Sequence, residues 1–480
     1  MKPTSERERL GLQAGAPARG LLGEARYVHF IGIGGIGMSA IAHLLLDKGV
    51  AVTGSDLTLS PVTAALEAKG AAVHGGHAPS LVEGADLVVV STAVPPDNAE
   101  LRHATDLGVP ILTRGETLAR LAQGHQVIAV AGTHGKTTTT AMLAMTLIEA
   151  GQDPTVLVGG IIPQIDGQAR LGSGTGLLVE ADEYQRSFLA LEPYLVLVTH
   201  IEFDHPDYFA DAEDVFAAFK QLAERITPEG LLYSCADHPL SLRLAAELGE
   251  ARAETYGLTE GAHWRALHPL PERRGGHSFE VAHRGRSVCR VSSPLPGLHN
   301  VRNAVGALAA AHALGVEPKT AAGVLEGFVG VERRFQLLGE AAGVTVIDDY
   351  AHHPTEISTT VAAARERFPG RRLWALFQPH TFSRTLALLN GFSEALRAAD
   401  RAVISDIYPA RELDTGAVHG RDLASQIGPS ATYGGSLGDT EEMLAAELQP
   451  GDVLLVMGAG DIWQVGEGVL NRLRETHGER

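Results

Sequence analysis

The stretch VIAVAGTHGKTTTTAML at residues 127–143 combines residue types that can handle a polyphosphate. Gly132, Gly135, Lys136 and Thr137 read G-x-x-G-K-T directly after an apolar run. Glycines free backbone N–H groups to face phosphate oxygens, a lysine reaches β- and γ-phosphates, and a hydroxyl suits magnesium. The longer phosphate-loop pattern wants a glycine five residues before the Gly-Lys pair. Val130 stands there. It reads as the continuation of the strand, with a tighter loop after it. Thr137 is the metal-ligand candidate and Thr138 a phosphate contact, while Thr139 and Thr140 cap or pack the helix.

Other clusters carry polar groups to similar places. Gly32, Gly34 and Gly37 form G-x-G-x-x-G between a strand and a helix, and Asp56 ends the next strand. That pattern admits a dinucleotide such as NAD, any nucleotide diphosphate, or a tight turn without a ligand. Glu180, with Asp182 and Glu183 just beyond it, follows one apolar run, and Glu202, Asp204 and His205 follow another. Strand ends beside a phosphate loop are where ligands of parallel α/β sheets gather, so Glu180 suits magnesium. His205 suits a second site or a water-mediated contact, and solvated acids at strand ends are the alternative for each. Asn300 and Asn303 lie one helical turn apart and can face one base edge, or Asn300 can cap the helix. DDYAHHPTEI gathers Asp348, Asp349, Tyr350, His352 and His353 before Pro354, which starts a helix. FQPHTFSRT adds His380 and Arg384. No regular ligand spacing points to zinc.

These residues need a scaffold that repeats strand, turn and helix. The 480-residue chain shows that alternation almost throughout, with restarts near residues 125 and 330. The expected fold is α/β in three domains: a Rossmann-like domain at 25–125, a central phosphate-loop ATPase domain with a mainly parallel sheet at 126–330, and a second Rossmann-like domain at 331–480. Residues 1–24 read as a polar, mobile tail without the apolar core of a signal peptide. A net charge of −18 argues against nucleic acid and anionic membranes. No apolar run approaches the roughly 18 residues of a membrane span. Two cysteines, Cys235 and Cys289, give no disulfide framework and fit a reducing cytoplasm.

The motifs GIGGIGMSA, GTHGKTTTT, EADE, FDHPDYF, HNVRNA, RRF, DDYAHHPTE, FQPH and GAGD occur in this order over nearly the whole chain after residue 25. Together they resemble the Mur ligases, and in particular their alanine-adding branch. The resemblance implies ATP-dependent joining of L-alanine to UDP-N-acetylmuramate through an acyl phosphate, giving ADP and phosphate, in cytoplasmic peptidoglycan synthesis. It implies ATP and two magnesium ions, and a monomer or homodimer. Carried over by motif, the ATP site takes Gly132, Thr133, His134, Gly135, Lys136, Thr137, Thr138, His299, Asn300, Asn303, Arg334 and Asp349. Thr137, Glu180 and His205 would hold metal. Gly32, Gly34, Gly35, Ile36, Gly37, Ser55, Asp56 and His77 would hold UDP-sugar rather than NAD. Tyr350, His352, His380 and Arg384 would line the amino-acid and acyl-phosphate region, with Lys136, Glu180, His205, His352 and Arg384 as the catalytic set. Thr381 stands where some members carry arginine, and His200 where asparagine is frequent. Lys220 lies where related ligases carbamylate a lysine, a modification not expected in this branch. The rivals are a ligase that recycles a tripeptide onto the same sugar and a nucleotide-sensing or NAD-binding protein.

Overall fold

Runs of three to eight residues, mostly apolar in the parallel sheets and bounded by turn residues, form the strands. In the computed structural model, residues 6–12, 21–272, 275–410 and 412–477 are described. They divide into two units. The first comprises the described residues up to Glu202, then Ala212–Arg265 and Val305–Val324. The second comprises Phe203–Asp211, Ala266–Ala304 and the described residues from Leu325 onward.

The first unit opens with β1 (Tyr27–Ile31), β2 (Ala51–Asp56), β3 (Ala72–Gly75), β4 (Leu87–Val90) and β5 (Ile111–Thr113). Their order is β3-β2-β1-β4-β5, all parallel. The chain reverses direction across the sheet between β1 and β4, and such switch points open a crevice at the carboxyl ends of the strands. β4 is buried along its whole length, as a strand covered on both faces must be.

The same unit continues with β6 (Gln126–Ala131), β7 (Thr155–Ile162), β8 (Gly167–Arg170), β9 (Gly176–Ala181), β10 (Leu195–Val198), β11 (Leu231–Cys235) and β12 (Ala253–Gly257). They run in the order β12-β11-β10-β6-β9-β7-β8, with β8 antiparallel at the edge. β6 lies between β9 and β10, so the residues after all three emerge side by side. The strand β13 (Trp264–Pro271) joins β12 through Trp264 and Arg265.

In the second unit β14 (His277–His283) and β15 (Arg286–Ser293) form an antiparallel hairpin. A six-stranded sheet follows: β16 (Gln336–Ala341), β17 (Val344–Asp349), β18 (Leu373–Phe377), β19 (Arg401–Ser405), β20 (Ala431–Gly435) and β21 (Val453–Met457), ordered β16-β17-β21-β18-β19-β20. Alternate residues supply two cores. Leu455 packs with Ile347, Phe377 and Phe392 on one face, and Leu454 and Val456 with Leu376 and Val465 on the other.

One expectation changes at the N-terminal segment. Residues 6–12, read as part of a mobile tail, pack on the first sheet. Leu10 is buried, Arg7 pairs with Glu116 at 2.9 Å, and Glu6 accepts from the Gly115 amide at 3.2 Å. The segment is polar overall, but one apolar face suffices to dock a short helix. The end of that tail is likewise structured, as a short helix Leu21–Glu24 with Leu22 buried, while residues 1–5 and 13–20 and the C-terminal residues 478–480 lie outside the described residues.

Candidate active site

After β1 the chain must turn sharply into the helix Ile36–Asp47. Gly32 takes φ 81°, a left-handed conformation that costs glycine least. Its amide and that of Ile33 donate to the Ser55 carbonyl at 2.8 and 3.0 Å. The Gly34 amide donates to Asp56 Oδ2 at 2.8 Å, and a Cβ at Gly34 would come within 2.9 Å of that oxygen. Asp56 therefore buttresses the turn; it also accepts from the Thr58 amide at 3.2 Å. Gly35 is the helix N-cap and Ile36 the first helical residue. A Cβ at Gly37 would press on Arg114 at 3.1 Å. Ser55 and His77 meet at 3.0 Å, and both reach the buried Glu100. Sequence reasoning missed Glu100, because nothing in its local spacing marks it.

β6 includes Val130 and ends at Ala131, as the tighter loop required. A Cβ at Gly132 would overlap the Thr199 hydroxyl and lie 2.9 Å from the His200 amide. Gly132 has φ 139° and Gly135 φ 78°. The Thr133 amide donates to the His200 carbonyl at 2.6 Å, and His134 is hydrogen-bonded to Glu202. His200 thus serves the loop through its backbone, while its ring stacks on His238 at 3.5 Å. The helix Lys136–Glu149 starts at the loop, and first-turn amides of a helix have no intrahelical acceptor.

Lys136 Nζ folds back onto the Gly132 carbonyl at 2.6 Å and Glu183 Oε2 at 2.7 Å. Burial pulls this ammonium down, but Glu183, Asp182 and Glu180 outweigh it and hold it raised and charged. Burial pushes Glu183 up to about 7 against the pull of Lys136, and Asp182 adds to the rise. Thr137 Oγ1 donates to Glu180 Oε1 at 3.0 Å, and the Gly159 amide holds Glu180 Oε2 at 2.6 Å. Thr138 is buried beside them, and Thr140 Oγ1 bonds back to the Lys136 carbonyl at 2.8 Å, a helix-packing role. Thr137 and Glu180 are adjacent hard oxygen donors, the set magnesium takes on a triphosphate, so these residues fit that ion. Lys220 instead points outward and pairs with Glu247 at 2.8 Å.

The second unit gathers the remaining candidates. Asn303 Nδ2 donates to Asn300 Oδ1 at 3.2 Å, so the two amides do share a face. Asn300 lies inside the helix Leu298–Ala313 and donates to the Pro296 carbonyl at 2.8 Å, rather than acting as its N-cap. Burial lowers His299 to about 3, so the ring is neutral. Burial raises Asp349 to about 6 against Arg334, and it accepts from the Phe335 and Ala351 amides at 2.9 and 2.8 Å. Arg334 stands over the Tyr350 ring at 5.0 Å. His352 lies between the Tyr350 and His380 rings, and burial lowers it to about 4.

Arg384 is buried and forks onto Asp204 at 2.8 and 3.2 Å. It also meets His380 Nδ1 at 3.0 Å and His205 Nδ1 at 3.3 Å. Burial pushes Asp204 up, but Arg384 outweighs it and holds the carboxyl well below its usual range. While His205 Nδ1 accepts from Arg384, a neutral ring carries its proton on Nε2. His205 fits a metal through Nε2 only in the other tautomer, with the Arg384 contact released. Its φ of 54° marks a constrained backbone. His353 caps the helix Pro354–Arg367, as Pro354 predicts, and faces the Phe203 carbonyl at 3.2 Å. Thr381 caps the helix Phe382–Ala387. Asp204 and Glu183 were legible as members of the acidic strand-end clusters, but their arginine and lysine partners were not.

A glycine turn beside a buried carboxylate, a lysine-bearing phosphate loop flanked by strand-end acids, and three α/β domains define a nucleotide-using enzyme of the ligase type. Family profiles match throughout: "Mur ligase family, catalytic domain" over 27–126, "Mur ligase middle domain" over 130–311, and "Mur ligase, glutamate ligase domain" over 333–460. The chain belongs to the Mur ligase family. It is 42% identical to the UDP-N-acetylmuramate–L-alanine ligase of Caldanaerobacter subterraneus subsp. tengcongensis, over 92% of this chain and 97% of that one. It is 43% identical to the enzyme of the same name from Chloroflexus aggregans, over 94% and 99%. Among solved structures it is similar to the UDP-N-acetylmuramate–alanine ligase of Thermotoga maritima, with TM-score 0.81 and 29% identity over 94% and 99% of the two chains. A murein peptide ligase of Psychrobacter arcticus gives TM-score 0.73 and 27% identity over 93% and 98%.

Proposed function

We propose that this chain joins L-alanine to UDP-N-acetylmuramate, converting ATP to ADP and phosphate, in peptidoglycan synthesis. The observation that carries this reading is the 42–43% identity, over more than nine-tenths of the chain, to relatives bearing that activity in their names. The Lys136–Thr137–Glu180 cluster supports it. We place the boundaries of the three domains near residues 125 and 330, and the enzyme in the cytoplasm. Among the described residues no helix is long and apolar enough to cross a membrane.

A carboxylate is a poor electrophile at neutral pH. Its oxygen attacks the γ-phosphorus, the bond to ADP breaks, and the acyl phosphate gains a leaving group. The alanine nitrogen then attacks the acyl carbon, loses a proton, and phosphate departs. Lys136 exchanges its Glu183 and carbonyl contacts for phosphate oxygens and offsets charge that builds on the transferring group. Magnesium held by Thr137 and Glu180 would neutralise the triphosphate. Asn300, Asn303 and the neutral His299 offer hydrogen-bonding groups to adenine, and Arg334 and Asp349 to phosphate and ribose. Arg384, locked by Asp204, presents a fixed positive charge near His352 and His380 for the acyl phosphate and amino acid. Most of the rate then comes from positioning and charge compensation.

The tripeptide-recycling reading is not favoured by these relatives. Phosphate release from UDP-N-acetylmuramate and ATP, measured with L-alanine, glycine, L-serine and the tripeptide, tests the choice. L-Alanine is expected to give the highest kcat/KM; a clear preference for the tripeptide would overturn it.

A further inference from the structure

Glu100 is fully buried at the amino end of the helix Ala99–Asp106, just after β4. A buried carboxylate is costly unless donors surround it. Three segments supply them here. From β1, His29 Nε2 lies 3.0 Å from Oε2. From the end of β2, Ser55 Oγ donates to Oε2 at 2.7 Å. From the loop after β3, the Ala78 amide donates to Oε1 at 3.0 Å and His77 Nδ1 lies 3.3 Å from the same oxygen. Burial pushes the carboxyl up, yet His29 and Ser55 pull it further down, so it stays ionised. This one carboxylate ties β1, the end of β2 and the loop after β3 to the helix that follows β4.

The consequence falls on His77. The Ser55 hydroxyl gives its proton to Glu100, so Ser55 Oγ can only accept from His77 Nδ1. Glu100 Oε1 also only accepts. Both neighbours therefore require a proton on Nδ1, and the tautomer that meets this carries its lone pair on Nε2. Among the described residues Nε2 has no hydrogen-bond partner, and the side chain is 15% exposed. His77 follows Gly76, whose amide donates to the Asp56 carbonyl at 2.7 Å, and its partner Ser55 accepts from the Gly32 and Ile33 amides of the glycine turn through its carbonyl.

We propose that Glu100 is a positioning residue for the UDP-sugar: through Ser55 it fixes the His77 tautomer, so that Nε2 accepts a hydrogen bond from an N–H or O–H of the uridine. This rests on the UDP-sugar reading of the first domain. A merely structural Glu100 would support the fold without acting through His77, and a double-mutant cycle separates the two.

The test uses the full chain, with KM for UDP-N-acetylmuramate, KM for ATP and Tm measured for wild type, Glu100→Gln, His77→Ala and the double variant. Each single change is expected to raise KM for the UDP-sugar about tenfold, some 1.4 kcal/mol, and to leave KM for ATP within about twofold. The double variant should bind no worse than His77→Ala alone. Full additivity, or a matching rise in KM for ATP, would overturn the inference. If Glu100→Gln does not fold, His77→Ala still decides, because an unchanged KM for the UDP-sugar would refute the acceptor role. A wild-type protein that fails to use UDP-N-acetylmuramate would sink the functional reading instead.

Discussion

The two glycine turns of the first unit share a plan and differ in charge. Each follows a buried strand and opens a helix, and each has a buried glutamate beside it. Around GIGGIG the turn amides are held by the Ser55 carbonyl and Asp56, and Glu100 sits among donors from three segments. Around GTHGKT the loop carries its own cation, and Glu183 meets Lys136 while Asp182 repels it. One carboxylate is stabilised below its usual range and the other is pushed up to about 7. Several donors around one carboxylate keep it an anion; a single ammonium in a dry, acidic setting makes a partner that a phosphate can replace. The first arrangement suits recognition and the second suits chemistry.

The largest effect should come from removing the loop's cation. Lys136→Ala is expected to lower kcat roughly a thousandfold, while calorimetry shows UDP-sugar affinity nearly unchanged. Loss of both would erase the division of labour between the turns. Next come the glycines. Gly132→Ala should cost about 2–3 kcal/mol and raise KM for ATP at least tenfold, since its Cβ meets Thr199 and the His200 backbone. Gly34→Ala should instead raise KM for the UDP-sugar, by displacing Asp56. Crossed effects would break the comparison.

The carboxylates differ in the sign of their pH dependence. Between pH 4.5 and about 7 native Glu183 holds a proton that the unfolded chain has released, so stability falls as pH rises through that window. Glu100 acts oppositely: its contribution is present above 4.5 and is lost as pH falls through its depressed value. Glu183→Gln should therefore flatten the decline in thermal stability between pH 4.5 and 7, by at most roughly 3 kcal/mol. An unchanged slope would mean that Lys136 keeps Glu183 ionised throughout. The smallest effect belongs to the exposed Lys220–Glu247 pair. Lys220→Ala should change kcat less than about twofold and stability by less than about 0.5 kcal/mol. A large loss of activity would show that this lysine does more than pair on the surface.

Much of this was legible in the sequence, because turns and strands are local. GIGGIG and GTHGKT announce strand–turn–helix units by residue type alone, and Val130 already read as strand. Pro354 predicted a helix start, and Asn300 and Asn303 predicted a shared face. The docking of residues 6–12 was not legible, since it depends on one buried leucine and on Arg7 reaching Glu116.

The sequence by itself determined the three-block α/β plan, the two glycine turns that open helices, and the family. Tertiary structure decided who pairs with whom. Lys136 finds Glu183 47 positions away, Ser55 finds Glu100 45 away, and Arg384 finds Asp204 180 away. Parallel strands bring the first two of these pairs together, each at the carboxyl ends of one sheet, regardless of their separation along the chain. Burial then fixes each group's protonation through the donors that happen to surround it, and that set of neighbours is written in no local motif.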